Sequence, residues 1–201
     1  MKRRSKAQSR ISVIPYDPRW PHEFERSSAE ATDALGASTV AIYHIGSTSI
    51  PGIYAKPVID MLAAVSDFSE IDQHPDRMER LGYEVMGDFG IEGRRYFRRD
   101  DSTGRRTHQI HAFAGGSPHV RRHLAFRDFM RAHPHFAQAY SDLKRQLASA
   151  HPYDMEAYMD GKDAFIKEMQ RRALGWLSSS RNGPDAAQPC NAVEGSCARD
   201  P

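Results

Sequence analysis

One stretch of the sequence, Pro57 to Val65, restricts the fold more than any other. Its residues, PVIDMLAAV, are almost continuously apolar and do not alternate with polar ones. A run of this kind is typical of a strand that is buried on both faces, inside a sheet covered by helices. Val40 to Ile45 predicts a second strand, and a segment rich in Gly, Ser, Thr and Pro connects the two.

Helical periodicity and turn residues predict the elements around these two strands. The predicted order is an extended segment in RISVIPYDPRW, a helix in PHEFERSSAEATDALGAS, the two strands, and a helix from about Ser69 to Leu81. Strands in YEVM, RRYFRRD and THQIHAF follow, with a hairpin turn at DSTG, and three helices are predicted between Ser117 and Trp176. This order favours an α+β domain, in which helices pack on a mixed sheet and the C-terminal third is helical.

Length and composition favour one domain with a tail at each end. Residues 1–10 are predicted to be a flexible basic tail, residues 11–177 the domain, and residues 178–201 a disordered tail containing both cysteines, Cys190 and Cys197. No apolar run approaches the ~20 residues that cross a bilayer, and the N-terminus lacks the apolar core of a secretory signal. We therefore expect a cytoplasmic protein with no membrane partner.

The connection between the first two predicted strands contains Gly46, Ser47, Thr48 and Ser49. A Gly-Ser pair directly after a strand exposes backbone N–H groups and a hydroxyl, which many folds use to hold phosphate oxygens. The sequence matches neither GxxxxGK[ST] nor GxGxxG. A solvated turn and a phosphate-binding loop are therefore both open interpretations.

Asp60 interrupts the apolar strand with a carboxylate. A buried carboxylate needs a partner, because leaving it unpaired costs several kcal/mol or forces it to be protonated. It is either a structural acid paired with an arginine or a backbone donor, or a hard oxygen ligand for Mg²⁺ beside bound phosphates.

Several spaced motifs resemble the GrpB family: SVIPYDPRWPHEFE, HIGSTSIPGIYAKPVIDM, RRYFRR, THQIHAF, LAFRDFMRAHP and YMDGKDAFI. The resemblance covers about Ile11 to Leu174 and implies a nucleotidyltransferase-like fold. It further implies that Gly46 and Ser47 hold a nucleoside triphosphate and that Asp60 binds Mg²⁺ or Mn²⁺. The implied reaction is transfer of a nucleotidyl group to an unknown acceptor, which we expect to be a small molecule.

The sequence departs from the nucleotidyltransferase pattern at two places. Leu62 occupies the position of the second acid, and the strand expected to carry a third acid has His108 and His111 instead. Three explanations are open: His111 completes a metal site with Asp60, His108 or His111 acts as a general base, or the pocket only binds. Residues at i and i+3 of a strand point to opposite faces, so at most one of these histidines shares the face of Asp60.

Basic side chains near the predicted sheet fit two interpretations, an anionic ligand or a solvated hairpin whose charges serve solubility. Arg94 and Arg98 lie on one face of the RRYFRR strand, Lys56 precedes Asp60, and Tyr158 and Lys162 are one helical turn apart. Predicted substrate-binding residues are Gly46, Ser47, Thr48, Ser49, Lys56, Arg94, Arg98 and Lys162. The alternative function is a non-catalytic nucleotide- or anion-binding module, as in domains attached to dephospho-coenzyme A kinases. No RRM, KH or OB signature is visible, so we expect no specific nucleic acid.

Overall fold

The computed structural model of the chain describes residues 10–181, in which five strands form one mixed sheet. The sheet order is β1-β2-β5-β4-β3. β2 runs antiparallel to β1 and parallel to β5, and the pairs β5–β4 and β4–β3 are antiparallel. The strands are β1 (Thr39–Ile45), β2 (Ile59–Val65), β3 (Glu84–Val85), β4 (Arg95–Asp100) and β5 (Arg106–Ala114).

Helices cover both faces of this sheet. The helices are α1 (Trp20–Leu35), α2 (Ser69–Gln73), α3 (Pro75–Arg80), α4 (Pro118–Ala132), α5 (Pro134–Ala150) and α6 (Met155–Arg181), and Ser47–Ser49 form a 3₁₀ turn. A proline lies in the first turn of α1, α3, α4 and α5. Backbone N–H groups of a first turn have no intrahelical acceptor, so proline, which lacks this group, costs the helix no hydrogen bond there. The α+β class and the helical C-terminal third are therefore confirmed.

β2 is buried on both sides, as its unbroken apolar run predicts. Met61 and Ala63 pack into a cluster with residues of α1, α2 and α3. Leu62 and Ala64 point the other way and pack with Val120 of α4. The second face is extended by a separate apolar cluster that joins α4, α5 and α6.

The N-terminal segment docks on the domain as an extended chain. Ile14 and Ala55 exchange both backbone hydrogen bonds, each at 2.9 Å. The Ile11 N–H donates to the Pro152 carbonyl at 2.8 Å, and the Ile11 side chain is buried. The N-terminal segment therefore connects the residues before β2 with the loop before α6.

The prediction of one helix from Ser69 to Leu81 is wrong, because the structure has two helices that meet at His74 and Pro75. Proline lacks the N–H that a continuing helix needs, and its ring disfavours the helical conformation in the residue before it. His74 accordingly has φ −127° and ψ 51°, outside the helical region. Pro75 then starts the second helix.

The C-terminal boundary also differs from the expectation, since α6 continues to Arg181 rather than ending at residue 177. The rest of the predicted C-terminal tail, with Cys190 and Cys197, and residues 1–9 of the predicted N-terminal tail lie outside the described residues. Between residues 10 and 181, no helix is both long enough and apolar enough to cross a membrane.

Candidate functional site

A cavity of about 220 Å³ lies between the beginning of β2 and the three C-terminal helices. Asp60 enters it from the sheet, and Gln109 lies beside Asp60 because the two residues are register partners on β2 and β5. The remaining walls come from the loop after β1, the segment before β2, and helices α4, α5 and α6. The lining residues are Gly46, Ser47, Lys56, Val58, Asp60, Gln109, Phe126, Tyr140, Lys144, Tyr158, Met159 and Lys162.

Gly46 is required by the close approach of Asp60. Its φ of +69° is in the left-handed region, and a Cβ at this position would lie 2.3 Å from Asp60 Oδ2. Only glycine combines that backbone conformation with the absence of a side chain. The chain can therefore turn directly over the carboxylate and place Ser47 at the cavity wall.

The hydroxyl groups of Thr48 and Ser49 form hydrogen bonds within the protein. Thr48 Oγ1 donates to the Val58 carbonyl at 2.9 Å and contacts His44 Nε2 at 3.0 Å. Ser49 Oγ donates to the Gly46 carbonyl at 2.7 Å. Of the four residues predicted to bind phosphate, Gly46 and Ser47 line the cavity, whereas the side chains of Thr48 and Ser49 brace the loop.

The environment of Asp60 makes its carboxylate unusually easy to protonate. Burial raises its pKa to about 6, although the nearby cations Lys56, Lys162, Arg106 and Lys144 favour the charged form. Within the described part of the chain, Asp60 takes part in no ion pair. The carboxylate and the lysines therefore face one another across open space.

Lys144 comes from α5 and is almost completely buried, with 2% of its surface exposed. Its Nζ donates to the Tyr54 carbonyl at 2.5 Å and lies 4.5 Å from the centre of the Tyr140 ring. Burial lowers its pKa to about 7, and the neighbouring Lys162 lowers it further while Asp60 opposes the shift. Lys144 is thus a desolvated ammonium group without a carboxylate partner among the described residues.

Lys162 and Lys56 are the other two lysines that line the cavity. Lys162 lies one turn of α6 after Tyr158, and its Nζ is 4.8 Å from the centre of the Tyr158 ring. Burial and Lys56 lower the pKa of Lys162 to about 8. Burial likewise lowers the pKa of Lys56, whose Nζ lies 3.7 Å from Met155 Sδ. Three lysine side chains and one carboxylate therefore line the same cavity.

Gln109 is held in a defined orientation by a short chain of hydrogen bonds. Arg106 Nη1 donates to the Tyr96 hydroxyl at 3.3 Å, and that hydroxyl donates to Gln109 Oε1 at 3.0 Å. Because Oε1 accepts this bond, the amide NH₂ of Gln109 is the end left for another acceptor. An amide donor thus stands next to Asp60 on the floor of the cavity.

The structure separates the two strand histidines, as alternation requires. His108 is on the face opposite Asp60, where its Nε2 lies 3.1 Å from Ser27 Oγ and 3.2 Å from a Glu23 oxygen. His111 shares the face of Asp60 but does not line the cavity. It is level with Leu62, its Nδ1 lies 3.3 Å from Arg94 Nη1, and its ring stacks on Tyr96.

The two arginines predicted to bind substrate are engaged elsewhere. Arg94 is buried, and its Nε and Nη2 donate to the backbone carbonyls of Asp88 and Phe89 at 3.0 and 2.9 Å. Arg98 Nε donates to a Glu84 oxygen at 2.6 Å on the edge strand β3. Neither arginine lines the cavity, so its positive charge comes from lysines.

The side chains of the cavity do not form a prepared metal site. Asp60 is the one carboxylate among the described residues that line it, and the residues beside Asp60 are an amide, Gln109, and the fully buried Leu62. Mg²⁺ and Mn²⁺ prefer several oxygen ligands, and three ammonium groups repel a cation. Between residues 10 and 181, no group of three or more His, Cys, Asp or Glu side chains is suited to a metal ion.

Sequence reasoning identified some of these residues and missed others. Lys56, Lys162 and Tyr158 were predicted near the site, and all three line the cavity. Gln109 was missed, although strand alternation places it on the same face as His111. Lys144 was missed because a lysine on a helix is usually solvated, and its only signal was a position one turn after Tyr140 on the buried face of α5.

The fold and the cavity together define a class: an α+β domain whose C-terminal helices close a cationic cavity over one carboxylate of the sheet. The family model described as GrpB protein matches residues 10–172. The chain therefore belongs to the GrpB family.

Known proteins resemble this chain along most of its length. YqkA of Bacillus subtilis is 40% identical over 86% of this chain, which spans 50% of YqkA. The crystal structure of conserved protein GrpB from Enterococcus faecalis is 40% identical with a TM-score of 0.79, covering 83% of this chain and 99% of that one. A dephospho-CoA kinase of Mycolicibacterium paratuberculosis is 26% identical over 87% of this chain and 48% of the kinase. The chain thus spans about half the length of two of these relatives.

Proposed function

We propose that the cavity binds the phosphate groups of a small anionic ligand, of the nucleoside triphosphate type, through Lys56, Lys144 and Lys162. The observation that carries this proposal is the charge arrangement: three ammonium groups and one carboxylate face the same cavity without forming ion pairs with one another. A phosphate group supplies the negative charge and the acceptor oxygens that this arrangement lacks.

Lys144 gives the strongest physical reason for an anion. An ammonium group has three N–H donors, and burying such a group costs several kcal/mol unless it is paired. Among the residues that the structure describes, Lys144 has one hydrogen bond, to the Tyr54 carbonyl, and one ring contact, to Tyr140. A bound phosphate oxygen completes its coordination and restores the charged form that burial disfavours.

The size and lining of the cavity indicate which part of a ligand it accepts. A volume of about 220 Å³ is below the ~300 Å³ at which pockets for whole drug-sized molecules begin, so it suits a phosphate chain better than an entire nucleotide. The Gln109 amide and the Ser47 hydroxyl add neutral donors, and Met159 is exposed at the rim. The similarity to a protein named dephospho-CoA kinase supports a phosphorylated small molecule as the ligand.

The second candidate is metal-dependent nucleotidyl transfer to a small-molecule acceptor. It is favoured by the close packing of Asp60 under Gly46 and Ser47, the arrangement that the family resemblance implies for a triphosphate site. In that case Asp60 and the phosphates would hold Mg²⁺ or Mn²⁺. Leu62 weighs against it, because it stands at the position of the second acid, and so do the three lysines and Gln109, because they add cations and an amide beside Asp60 rather than further carboxylates.

Calorimetric titration with tripolyphosphate in EDTA tests the first proposal. We expect Lys144→Met and Lys162→Met each to weaken binding at least about tenfold, because each removes a charge-assisted hydrogen bond worth roughly 1.5–3 kcal/mol. The control is Lys167→Met, which removes the same charge from an exposed position paired with Asp163 on α6. This variant should bind like the wild type.

Proton uptake provides a second readout of the same titration. A bound anion raises the pKa values of Lys144, Lys162 and Asp60, which are about 7, 8 and 6 without ligand. Near pH 7.5 binding should therefore take up protons, seen as a binding enthalpy that depends on the ionisation heat of the buffer. Equal affinities for the wild type and both cavity variants, without proton uptake, would refute the proposal.

A further inference from the structure

A second basic depression lies next to the cavity. It has a volume of about 540 Å³ and is formed by the N-terminal segment, the turn before β5 and the end of α5. Three arginines line it, and no Asp or Glu among the described residues does so. We call it the arginine groove, and its lining residues are Arg10, Ile11, Ser12, Val13, Pro57, Arg105, Arg145, Ala148 and Ser149.

One chain segment, Tyr54 to Pro57, separates the arginine groove from the cavity. Lys56 lines the cavity, and the next residue, Pro57, lines the groove. The same division occurs on α5: Lys144 donates to the Tyr54 carbonyl from the cavity side, whereas the guanidinium carbon of Arg145 lies 4.5 Å from the centre of the Tyr54 ring. The two depressions therefore lie on opposite sides of a wall that is one segment thick.

The wall is fixed by hydrogen bonds at several points. Ala55 pairs with Ile14 through two backbone bonds, and the Tyr54 N–H donates to Ser141 Oγ at 2.9 Å. Ala55 has no exposed surface. The spacing between the lysines and the arginines is thus built into the fold.

Arg105 and Arg106, at the start of β5, are divided in a similar way. Arg105 lines the groove, whereas Arg106 lies close enough to the cavity to lower the pKa values of Asp60 and Lys56. At residues 56–57 and 144–145 the chain therefore places one residue on the cavity and its neighbour on the groove. At residues 105–106, Arg105 lines the groove, and Arg106 pairs with Asp100 and donates to the Tyr96 hydroxyl that binds Gln109. Positive charge continues from one depression to the other.

We propose that the natural ligand is an elongated small molecule with two separated anionic groups. One anionic group occupies the lysine cavity, and the other is bound in the arginine groove by Arg105 and Arg145. This inference rests on the proposed function of the cavity and specifies the class of its ligand.

Arg105 and Arg145 have N–H donors available for a second anionic group of the ligand. The acid nearest Arg145 is Asp142, one turn earlier on the exposed side of α5, and the two side chains approach to 3.6 Å. Asp101 accepts from the backbone N–H of Arg105 at 3.0 Å. A guanidinium has five N–H donors in a planar fork, so each arginine can bind a phosphate or carboxylate while keeping these contacts.

Linear polyphosphates of increasing length test this inference, with pyrophosphate as the short probe. Pyrophosphate should bind the wild type and the double variant Arg105→Gln/Arg145→Gln within twofold of each other, because it reaches the lysines alone. Longer chains should bind the wild type more tightly once they span the wall. The double variant should lose this gain, at least about tenfold in affinity, because it removes the charge-assisted contacts of both arginines.

The control variant is Arg80→Gln/Arg171→Gln, which removes two exposed arginines from α3 and α6. It should keep the full gain for long chains, since it leaves the groove intact. If pyrophosphate binds in a lysine-dependent way but the groove variant keeps the gain, the arginine groove is no subsite and this inference is overturned. If pyrophosphate does not bind, or binds independently of the lysines, the proposed function of the cavity fails and this inference fails with it.

Discussion

Gly46 and Asp60 form the floor of the cavity as a pair. Gly46 has a left-handed backbone conformation, and a Cβ at this position would lie only 2.3 Å from Asp60 Oδ2. The residue at position 46 therefore depends on the side chain at position 60. Asp60 places a carboxylate at a position where a hydrophobic side chain would continue the apolar run of β2. Burial raises the pKa of this carboxyl group to about 6, so its charged form is held at an energetic cost.

Replacing Gly46 by alanine should destabilise the protein and displace Asp60. The matched control is Gly52→Ala, because Gly52 has φ +79° but nothing within 4 Å of its Cβ position. Backbone strain alone should cost Gly52→Ala about 1–3 kcal/mol. Gly46→Ala adds a steric conflict, which should cost roughly 1–3 kcal/mol more. Urea unfolding of both variants measures the difference, and equal losses would contradict the packing described for Gly46.

Individual residues could be predicted from the sequence where local chemistry gave a signal. Asp60 was visible as a charge in an apolar run, and Tyr158 and Lys162 as a pair one helical turn apart. His111 was expected beside Asp60, but in the structure it is level with Leu62, because the register of β5 against β2 puts Gln109 opposite Asp60. Strand register depends on the packing of the whole sheet, which no local pattern reveals.

The strands around the site were predicted from the sequence, but one helix and the crossing of the C-terminal helices were not. The apolar run of β2 and the turn before β5 gave correct strands, whereas the predicted helix from Ser69 to Leu81 ignored the effect of Pro75. The packing of α5 against α6 brings Lys144 and Lys162 to one cavity. Helical periodicity predicts that both helices have an apolar face, but it does not say where they cross.

Gly161 marks the place where α6 approaches α5. A Cβ at this position would lie 2.4 Å from Leu147 Cδ2, whereas one at Gly175, further along α6, would meet nothing within 4 Å. Gly175→Ala should therefore stabilise the protein by up to about 1 kcal/mol through helix propensity. Gly161→Ala should lose that gain to overpacking and weaken anion binding, because Lys162 is the next residue.

Thermal unfolding and tripolyphosphate titration of the two variants measure this prediction. The Gly175 variant should melt at a higher temperature than the wild type and bind the anion unchanged. Should Gly161→Ala gain as much stability as Gly175→Ala and bind equally well, the close contact between the helices would not position the site.

At the scale of the whole molecule, the sheet supplies one acid to the cavity, and the helical C-terminal third supplies most of the cavity's remaining walls. Lys144 and Lys162 come from two of these helices, and Lys56 comes from the segment leading into β2. The resemblance to the GrpB family, visible in the sequence, predicted the fold class. Lys56 and Lys162 were predicted to bind substrate, but their arrangement with Lys144 was not visible, because it forms only when segments about 90 to 100 residues apart come together.

Binding of tripolyphosphate to the wild type and to Asp60→Asn, with EDTA and with Mg²⁺, tests the central claim most directly. The substitution keeps the shape of the side chain but removes the one negative charge that the described residues place in the cavity. If the lysines bind the anion, EDTA should leave binding intact, and Asp60→Asn should bind equally well or more tightly. Binding that requires Mg²⁺ and disappears in Asp60→Asn would contradict this account and make Asp60 a metal ligand.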